Sequence, residues 1–235
     1  MGHLPLRKQS GTCRHFINWA VLFAVGAVKS YSGSMGLSIC GLILAGGKAS
    51  RFGKDKRFAM LAGRPLIDHA IGRMEPQVDQ LALSSNDPVK GWEHLVHLAD
   101  QQAEQGPILG IAEGLAFAAD EGFDWLVTVP ADSPFVVNDL VQRLTHPAGQ
   151  AAVRFAASNG RHHPVFGAWR TDLVAALWAQ IAAGERKIDR AADALGGYDQ
   201  VEWPVDPDLG DPFFNINRTA DLTAAQMVYA ASHEV

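Results

Sequence analysis

The segment from Leu44 to Lys56 constrains the fold more than any other, because a buried strand runs directly into a glycine-rich basic loop. The apolar residues before it predict a short strand. The loop contains three glycines and four basic residues. Glycines let backbone N–H groups turn toward phosphate oxygens, and Arg51 and Lys56 add positive charge there. Because the spacing fits neither G-x-G-x-x-G nor the P-loop, the segment indicates another way of holding a nucleoside triphosphate. The alternative is a surface turn with incidental charge.

A second motif, Pro130-Ala131-Asp132-Ser133-Pro134, directly follows the apolar run Trp125–Val129. In open α/β sheets, ligands bind beyond the carboxyl ends of the strands. We therefore expect Asp132 at the same sheet edge as the loop after Leu44. A carboxylate in this position suits Mg²⁺, which is usually held by one or two carboxylates together with phosphates and waters. The alternative is an Asp that caps a helix or closes a turn.

Together these motifs resemble the signature loops of nucleotidyltransferases that activate small molecules with a nucleoside triphosphate. Within that superfamily the chain is most similar to the molybdenum cofactor guanylyltransferases, from about Ser38 to about Leu222. The resemblance implies transfer of GMP from GTP to the phosphate of molybdopterin, with release of pyrophosphate. It implies Mg²⁺ as the cofactor, bound by Asp132, and Arg51, Lys56 and Asp132 as catalytic residues. The GTP-binding residues that it implies are Leu44, Ala45, Gly46, Lys56, Asn86, Asp100 and Asp132.

Two of these positions depend mainly on the resemblance. Asp100 follows the strand-like run Leu95–Ala99, where an Asp is also common as a turn residue. Asn86 matches the second Asn of the family's Asn-x-Asn segment, whose first Asn contacts GTP. Ser84 replaces that first Asn here, so recognition of guanine or ribose at this point stays open. Ser84 could still donate a hydrogen bond.

Other motifs mark the rim of the expected cleft. Gly106–Gly110 precedes a helical pattern. A helix that begins with Pro has free N–H groups in its first turn, which can bind an anion. The alternative is that this segment is a simple loop-to-helix junction. The adjacent His162 and His163 point to opposite sides of an extended strand, which argues against a shared metal. The resemblance suggests a pterin contact for His163. Gly184–Lys187 could meet a pterin phosphate or form a solvated helix end.

The segment Asp211–Asn217 carries two asparagines, Asn215 and Asn217, on one side of an extended stretch. They could bond a neighbouring loop or a ligand, and Asn217 could hold the turn into the last helix. The segment resembles the family's F-x-N-x-N-T-P-E-(D/E)-L pattern. Arg218 and Ala220 depart from that pattern without affecting the asparagines.

Alternating apolar runs and helical patterns predict an α/β, Rossmann-like nucleotidyltransferase fold, a three-layer sandwich with a mainly parallel sheet and helices on both faces. Ser158–Arg161 has the chemistry of a hairpin turn. The predicted strands are Ile39–Ala45, Gln80–Ser84, Leu95–Leu98, Trp125–Pro130, Ala151–Ala156, Pro164–Trp169 and Tyr198–Trp203. The predicted helices are Leu66–Met74, Leu109–Ala119, Val137–Leu144, Leu173–Ala183, Ile188–Leu195 and Thr219–Met227.

We expect one domain over residues 37–235, whose N-terminal half binds GTP and whose C-terminal half binds the acceptor. Residues 1–36 form a tail with the apolar run Phe16–Val28, too short to span a bilayer. An upstream start before Met35 is the preferred reading, and a dispensable amphipathic tail and an export signal are the alternatives.

A net charge of −5 argues against a nucleic-acid partner. Two cysteines, Cys13 and Cys40, make no disulfide framework and fit a reducing cytoplasm. No membrane association is expected. The oligomeric state is open, a monomer being compatible with the sequence, and proteins that handle the molybdenum cofactor are the expected partners.

Two other functions fit part of the sequence. A cytidylyl- or sugar-nucleotidyltransferase would share the first two motifs, whereas the short chain, the His163-Pro164 strand and the Asn215–Asn217 segment favour the molybdopterin enzyme. A catalytically silent nucleotide-sensing subunit would be expected to lack Arg51, Lys56 or Asp132, and all three are present.

Overall fold

The computed structural model describes residues 36–46, 58–85, 91–99, 106–146, 149–207 and 210–231. The predicted tail therefore lies outside the described residues, apart from Gly36. The strands within the described ranges are β1 (Ile39–Leu44), β2 (Met60–Leu61), β3 (Arg64–Pro65), β4 (Gln80–Ser84), β5 (Val96–Leu98), β6 (Trp125–Pro130), β7 (Val153–Ser158), β8 (Arg161–Arg170) and β9 (Asp199–Trp203). The α-helices there are α1 (Leu66–Met74), α2 (Pro107–Asp120), α3 (Leu140–Thr145), α4 (Val174–Ala182), α5 (Ile188–Ala194) and α6 (Thr219–Ala231).

Seven of the described strands form one sheet in the order β5-β4-β1-β6-β8-β7-β9. Strand β1 pairs in parallel with β4 and β6, β4 with β5, and β7 with β9. Within this sheet, β8 runs antiparallel to its neighbours β6 and β7. The expected mainly parallel sheet is confirmed. Because β8 is reversed, its N-terminal end lies at the same edge as the carboxyl ends of the other strands.

Helices cover both faces of the sheet, which gives the expected three layers. Side chains of β1 alternate between the faces, as the two-residue repeat of a strand requires. Leu42 belongs to a buried cluster with residues of α2, α4 and α5. Ile43 belongs to a second cluster with residues of α1 and α3. Both side chains are fully buried, so β1 lies at the centre of the core.

Helix α2 lies unusually close to the sheet because it has glycines at the contact. A Cβ at Gly114 would overlap Leu42 Cδ2, and a Cβ at Gly110 would lie 2.9 Å from Ser84 Oγ. These two glycines therefore let the first half of α2 approach the carboxyl ends of β1 and β4.

The hairpin turn predicted at residues 158–161 is confirmed. Asn159 (φ 50°) and Gly160 (φ 73°) join β7 to β8. Positive φ at both central residues is the mark of a type I′ turn, for which Asn-Gly is the preferred pair. The turn brings the start of β8 next to the end of β7.

Several elements differ from the prediction. The bounds of β1, β5, β7, β9, α2, α4, α5 and α6 shift by one to four residues. Helix α3 begins at Leu140 rather than Val137, because Gln77 Nε2 donates to Val137 O at 2.9 Å and ties this stretch to the turn after α1. Strand β8 covers Arg161–Arg170 and is longer than the predicted strand Pro164–Trp169. The β2–β3 hairpin was not predicted, since two-residue strands show no periodicity; it turns through Ala62 and Gly63, both with positive φ.

Helices long and apolar enough to cross a membrane are absent from the described part of the chain.

Candidate active site

The loop after β1 and the loop after β6 begin side by side. Leu44 is paired with Pro130 in the sheet, and Ala131 N donates to Leu44 O at 3.1 Å. On the other side, Ala45 N donates to Ser84 O at 3.0 Å. The structure thus brings Leu44, Ala45 and Gly46 to the same sheet edge as Asp132, as the sequence predicted.

Four predicted site residues, Arg51, Lys56, Asn86 and Asp100, lie outside the described residues. Ser85, which precedes Asn86, donates its N–H to Leu98 O at 3.0 Å, so β4 and β5 end side by side. Ser84 is 1% exposed and lies beneath Gly110. This burial argues against the hydrogen bond to nucleotide that the sequence left open for Ser84.

Asp132 is held in place by the segment that precedes α6. Its carbonyl oxygen accepts a hydrogen bond from Ile216 N at 3.0 Å, and the residue is 7% exposed. The neighbouring Ser133, which is fully buried, donates from its hydroxyl to Asn215 Oδ1. These two contacts fix the position of the loop directly after β6.

The two predicted asparagines have different environments. Asn215 bonds the Asp132 loop, which is the loop-bonding role that the sequence allowed. Asn217 Nδ2 is 3.5 Å from Asn215 O. The turn into α6 is held mainly by Asp221, whose Oδ2 accepts from Asn217 N and Arg218 N, both at 2.8 Å. An acidic residue in the first turn of a helix commonly caps it in this way.

The first turn of α2 faces the same edge. Pro107 begins the helix and Gly106 precedes it with φ 91°, so the predicted proline-initiated helix is confirmed. The N–H groups of a first turn have no partner within the helix, and here that turn lies near the ends of β1 and β4.

A hydrogen-bonded cluster lies at the start of β8. Ser158 Oγ is 2.8 Å from His163 Nε2 and donates to Asp211 Oδ1 at 2.9 Å. His163 Nε2 lies 3.9 Å from Asp211 Oδ2. Burial lowers the pKa of His163 below its usual value, and the Asp211 carboxylate only partly offsets this. Sequence reasoning missed Ser158 and Asp211, because their contact joins residues far apart in the chain.

His162 lies on the other side of β8, as predicted. Its ring is 6.3 Å from the ring of Phe155 and 5.4 Å from that of Tyr198, whereas the His163 ring lies 5.0 Å from that of Phe213. Among the described residues, no group of three or more His, Cys, Asp or Glu side chains is arranged to hold a metal ion.

The Gly184–Lys187 loop is internally hydrogen-bonded. The Glu185 carboxylate accepts from Arg186 N and Lys187 N, both at 2.8 Å, and these bonds lower its pKa. The Arg186 guanidinium donates to Ile181 O at 2.7 Å, at the end of α4. These contacts favour the solvated helix end over a phosphate site.

The matching family model and the most similar relatives agree on one family. The sequence model of the MobA-like NTP transferase domain matches residues 41–197. A molybdenum cofactor guanylyltransferase of Rhodopseudomonas palustris is 42% identical over 198 residues, which cover 79% of this chain and 89% of the relative. The protein of that name from Cereibacter sphaeroides is 38% identical over 192 residues, covering 81% of this chain and 96% of the relative.

Solved structures agree in fold. The molybdopterin-guanine dinucleotide biosynthesis protein A of Archaeoglobus fulgidus has a TM-score of 0.64 at 25% identity and covers 82% of this chain and 99% of its own. A nucleotidyl transferase of Methanothermobacter has a TM-score of 0.66 at 18% identity. The match covers 84% of this chain and 100% of that protein.

Proposed function

This chain belongs to the MobA-like NTP transferase family, and we propose that it is a molybdenum cofactor guanylyltransferase. It transfers GMP from GTP to the phosphate of molybdopterin, giving molybdopterin guanine dinucleotide and pyrophosphate. The relatives of that name are matched over nearly their whole length, which supports the complete activity rather than a shared fragment.

One structural observation carries the proposal: Asp132 lies directly beside the first residues of the glycine-rich loop. The pairing of Leu44 with Pro130 and the bond from Ala131 N to Leu44 O place these two segments next to each other. In this arrangement the triphosphate lies over Leu44, Ala45 and Gly46. Arg51 and Lys56, on the same loop, supply the positive charge for its phosphates. Asn86 and Asp100, after the neighbouring strands, contact the rest of the GTP.

Asp132 is suited to bind Mg²⁺. Its carboxylate follows a strand at the site edge, and among the described residues no group of three or more His, Cys, Asp or Glu is arranged to hold a metal ion. Mg²⁺ is usually held by one or two carboxylates and completes its coordination with substrate phosphates and water. When bound, Mg²⁺ neutralises negative charge on the departing pyrophosphate.

In the reaction, an oxygen of the molybdopterin phosphate bonds to the α-phosphorus of GTP in line, and the bond from that phosphorus to pyrophosphate breaks. A phosphate monoester is already anionic, so no general base is needed. The residues of the site act by positioning the two substrates and by stabilising charge. Arg51 and Lys56 stabilise the pyrophosphate side, and the segment around Asn215 keeps the Asp132 loop in position.

We place the activity in residues 37–235, with GTP in the N-terminal half and the acceptor in the C-terminal half. We also propose a cytoplasmic enzyme, since GTP and unfinished cofactor are supplied there. A monomer that exchanges molybdopterin with cofactor-handling proteins is sufficient for this chemistry.

The test is a comparison of nucleotide donors. Purified protein is mixed anaerobically with molybdopterin, Mg²⁺ and either GTP, CTP or ATP, and the dinucleotide product and pyrophosphate are measured. The proposal predicts product with GTP and little with the others. Preferential use of CTP would instead identify a cytidylyltransferase, and no product from any donor would contradict the assignment.

A further inference from the structure

A cavity of about 600 Å³ lies among the end of α1, the stretch between β6 and α3, the segment after β9 and the end of α6. Its volume is that of a typical pocket for a small organic ligand. The described residues that we assign to GTP or Mg²⁺, which are Leu44, Ala45, Gly46 and Asp132, do not line it, and neither does His163. The cavity is therefore separate from the site proposed above.

The walls of the cavity are mainly apolar. Phe135, Val136, Val205 and Val228 line it. Val205 is 42% exposed, although Trp203, two residues before it on the same wall, is only 3% exposed. Small-molecule sites commonly combine apolar and aromatic walls with a few polar groups that orient the ligand. These walls favour a flat ring.

The Arg143 guanidinium is held flat at one wall. Its central carbon lies 4.1 Å from the centre of the Trp203 ring, and its Nη2 donates to Glu202 O at 2.6 Å. Asp139 fixes both partners, because its Oδ1 accepts from Trp203 Nε1 at 2.9 Å and its Oδ2 lies 3.7 Å from Arg143 Nη1. A guanidinium can stack on an aromatic plane with either face, and Trp203 covers one face of this one. The other face is a cationic surface on which a planar ring can stack.

Arg73 brings a second positive charge to the cavity, and its Nη1 donates to Asn138 Oδ1 at 3.0 Å. A guanidinium has five N–H donors, so this contact leaves Arg73 with donors for a ligand. Arg73 and Arg143 are the basic side chains among the described residues that line the cavity. Charge-assisted hydrogen bonds from arginine favour a ligand with a carboxylate or a phosphate.

Three aspartates among the described residues also line the cavity. Asp139 accepts from the Trp203 indole, and Asp211 accepts from the Ser158 hydroxyl at 2.9 Å. Asp206 adds a third carboxylate, and each carboxylate can accept several hydrogen bonds. A ring with N–H groups of its own can therefore donate to this wall while its anionic group meets an arginine.

Two walls of the cavity continue into the segments that support the active site. Phe135 belongs to the loop that carries Asp132. Asp211 and Pro212 belong to the segment that leads to Asn215, whose Oδ1 accepts from the Ser133 hydroxyl of that loop. A ligand in the cavity would contact both segments at once.

We propose that this cavity is a second ligand site, which binds a planar heteroaromatic anion. The ring stacks on the Arg143 guanidinium against the valine walls, its N–H groups face the aspartates, and its anionic group binds Arg73. Guanine nucleotides and pterins with an acidic side group share this chemistry. The inference goes beyond the proposed function and does not rest on it, because it assigns the residues of the cavity no part in GMP transfer.

Substitutions at two positions of the cavity test the site. Val205→Glu places a negative charge beside the ligand, and Val205→Gln is its neutral control of the same size. Because Val205 is exposed, both should leave the urea midpoint close to wild type. Arg73→Gln removes the cation that binds the anionic group. Arg170→Gln, at an arginine that is 48% exposed and pairs with Asp172, is the control for loss of a surface charge.

The measurement is calorimetric titration of each protein with GMP and, separately, with 6-carboxypterin. Mg²⁺ and a GTP analogue with a methylene bridge between its α- and β-phosphates are kept at saturating concentration, so that the GTP site is filled. We expect at least one probe to bind wild type, and the better probe identifies the source of the ligand. Val205→Glu and Arg73→Gln should each weaken binding about tenfold or more, the effect of one charge-assisted hydrogen bond or one repelling charge. Val205→Gln and Arg170→Gln should bind as wild type does.

Absence of binding by both probes overturns the inference. Equal affinity of Val205→Glu and wild type also overturns it, because the probe would then bind elsewhere. Equal loss of binding in Val205→Gln and Val205→Glu contradicts the anionic ligand. The comparison of nucleotide donors tests the proposed function separately, so either proposal can fail while the other stands.

Discussion

The Ser133 hydroxyl donates a hydrogen bond to Asn215 Oδ1 across 82 residues of sequence and so ties the loop after β6 to the segment before α6. Ile216 N bonds Asp132 O next to it. The C-terminal segment therefore supports the proposed active site, because it holds the backbone of Asp132.

Loss of the Ser133 hydroxyl should reduce turnover as well as stability. Ser133→Ala leaves Asn215 Oδ1 without this donor in a partly buried setting, which should lower the free energy of unfolding by about 1–2 kcal/mol. Because the Asp132 loop is loosened, kcat should fall too. Urea unfolding and the rate of GMP transfer test both effects.

Ser38→Ala is the control for that prediction. Ser38 Oγ donates to Asp124 Oδ2 at 2.9 Å, at the opposite edge of the sheet. This variant should lose some stability at unchanged kcat. A Ser133→Ala enzyme with wild-type kcat would contradict the supporting role.

Arg154 should matter for stability and not for catalysis. It is 5% exposed near the start of β7, and its guanidinium donates to Leu144 O at 3.0 Å and Gly149 O at 2.8 Å. Arg154→Met removes these bonds from buried carbonyl oxygens and should cost about 3 kcal/mol or more. Urea unfolding measures this change, and both KM values should stay as in wild type.

Arg170→Met is the matched control, since Arg170 pairs with Asp172 on the surface and is 48% exposed. Exposed ion pairs contribute about 0–1 kcal/mol to the free energy of unfolding. If Arg154→Met and Arg170→Met lower the free energy of unfolding equally, the burial of Arg154 is not the reason for its contribution to stability.

Stability should fall below neutral pH, partly because of His69. Burial lowers the pKa of His69 from its usual 6.5, although Nε2 also donates to Leu61 O at 2.9 Å. Below about pH 6.5 the unfolded chain takes up a proton that the folded chain resists, so the free energy of unfolding decreases as the pH falls. His69→Gln keeps a donor for Leu61 O and cannot titrate.

The urea midpoint of His69→Gln should therefore decrease less between pH 7.5 and pH 5.5 than that of wild type. His94→Gln, at a side chain that is 58% exposed, is the control. A pH dependence identical in His69→Gln and wild type would exclude this contribution.

The sequence predicted the elements that depend on local pattern. The bounds of β4, β6 and α1 are those predicted, because each is a clear apolar run or helical repeat between turn residues. The meeting of the Leu44–Gly46 loop with Asp132 was also predictable, since strand ends in a parallel sheet share one edge.

Contacts between distant segments could not be predicted. The pairing of Ser133 with Asn215 and the cluster of Ser158, His163 and Asp211 depend on how the C-terminal segment crosses the sheet edge. No local pattern marks a Ser or Asp for such a partner. The binding and catalytic roles of all the predicted site residues, Asp132 included, stay predictions.

Lys56 is predicted to act through its charge. Lys56→Ala should abolish turnover without lowering the urea midpoint, because the positive charge that offsets the triphosphate is lost. Lys187→Ala, which removes a charge from the α4–α5 loop, should leave turnover near wild type. Near-normal transfer by Lys56→Ala would refute the phosphate role.

The most direct test of Asp132 as the metal ligand is Mg²⁺-dependent pyrophosphate release by Asp132→Asn. Asn keeps the size of the side chain and caps a turn about as well as Asp, but it lacks the negative charge that binds the ion. We expect a rate lower by orders of magnitude, with a urea midpoint close to wild type and a normal rate in the surface control Asp172→Asn. A wild-type rate for Asp132→Asn at ordinary Mg²⁺ would rule out Asp132 as the metal ligand.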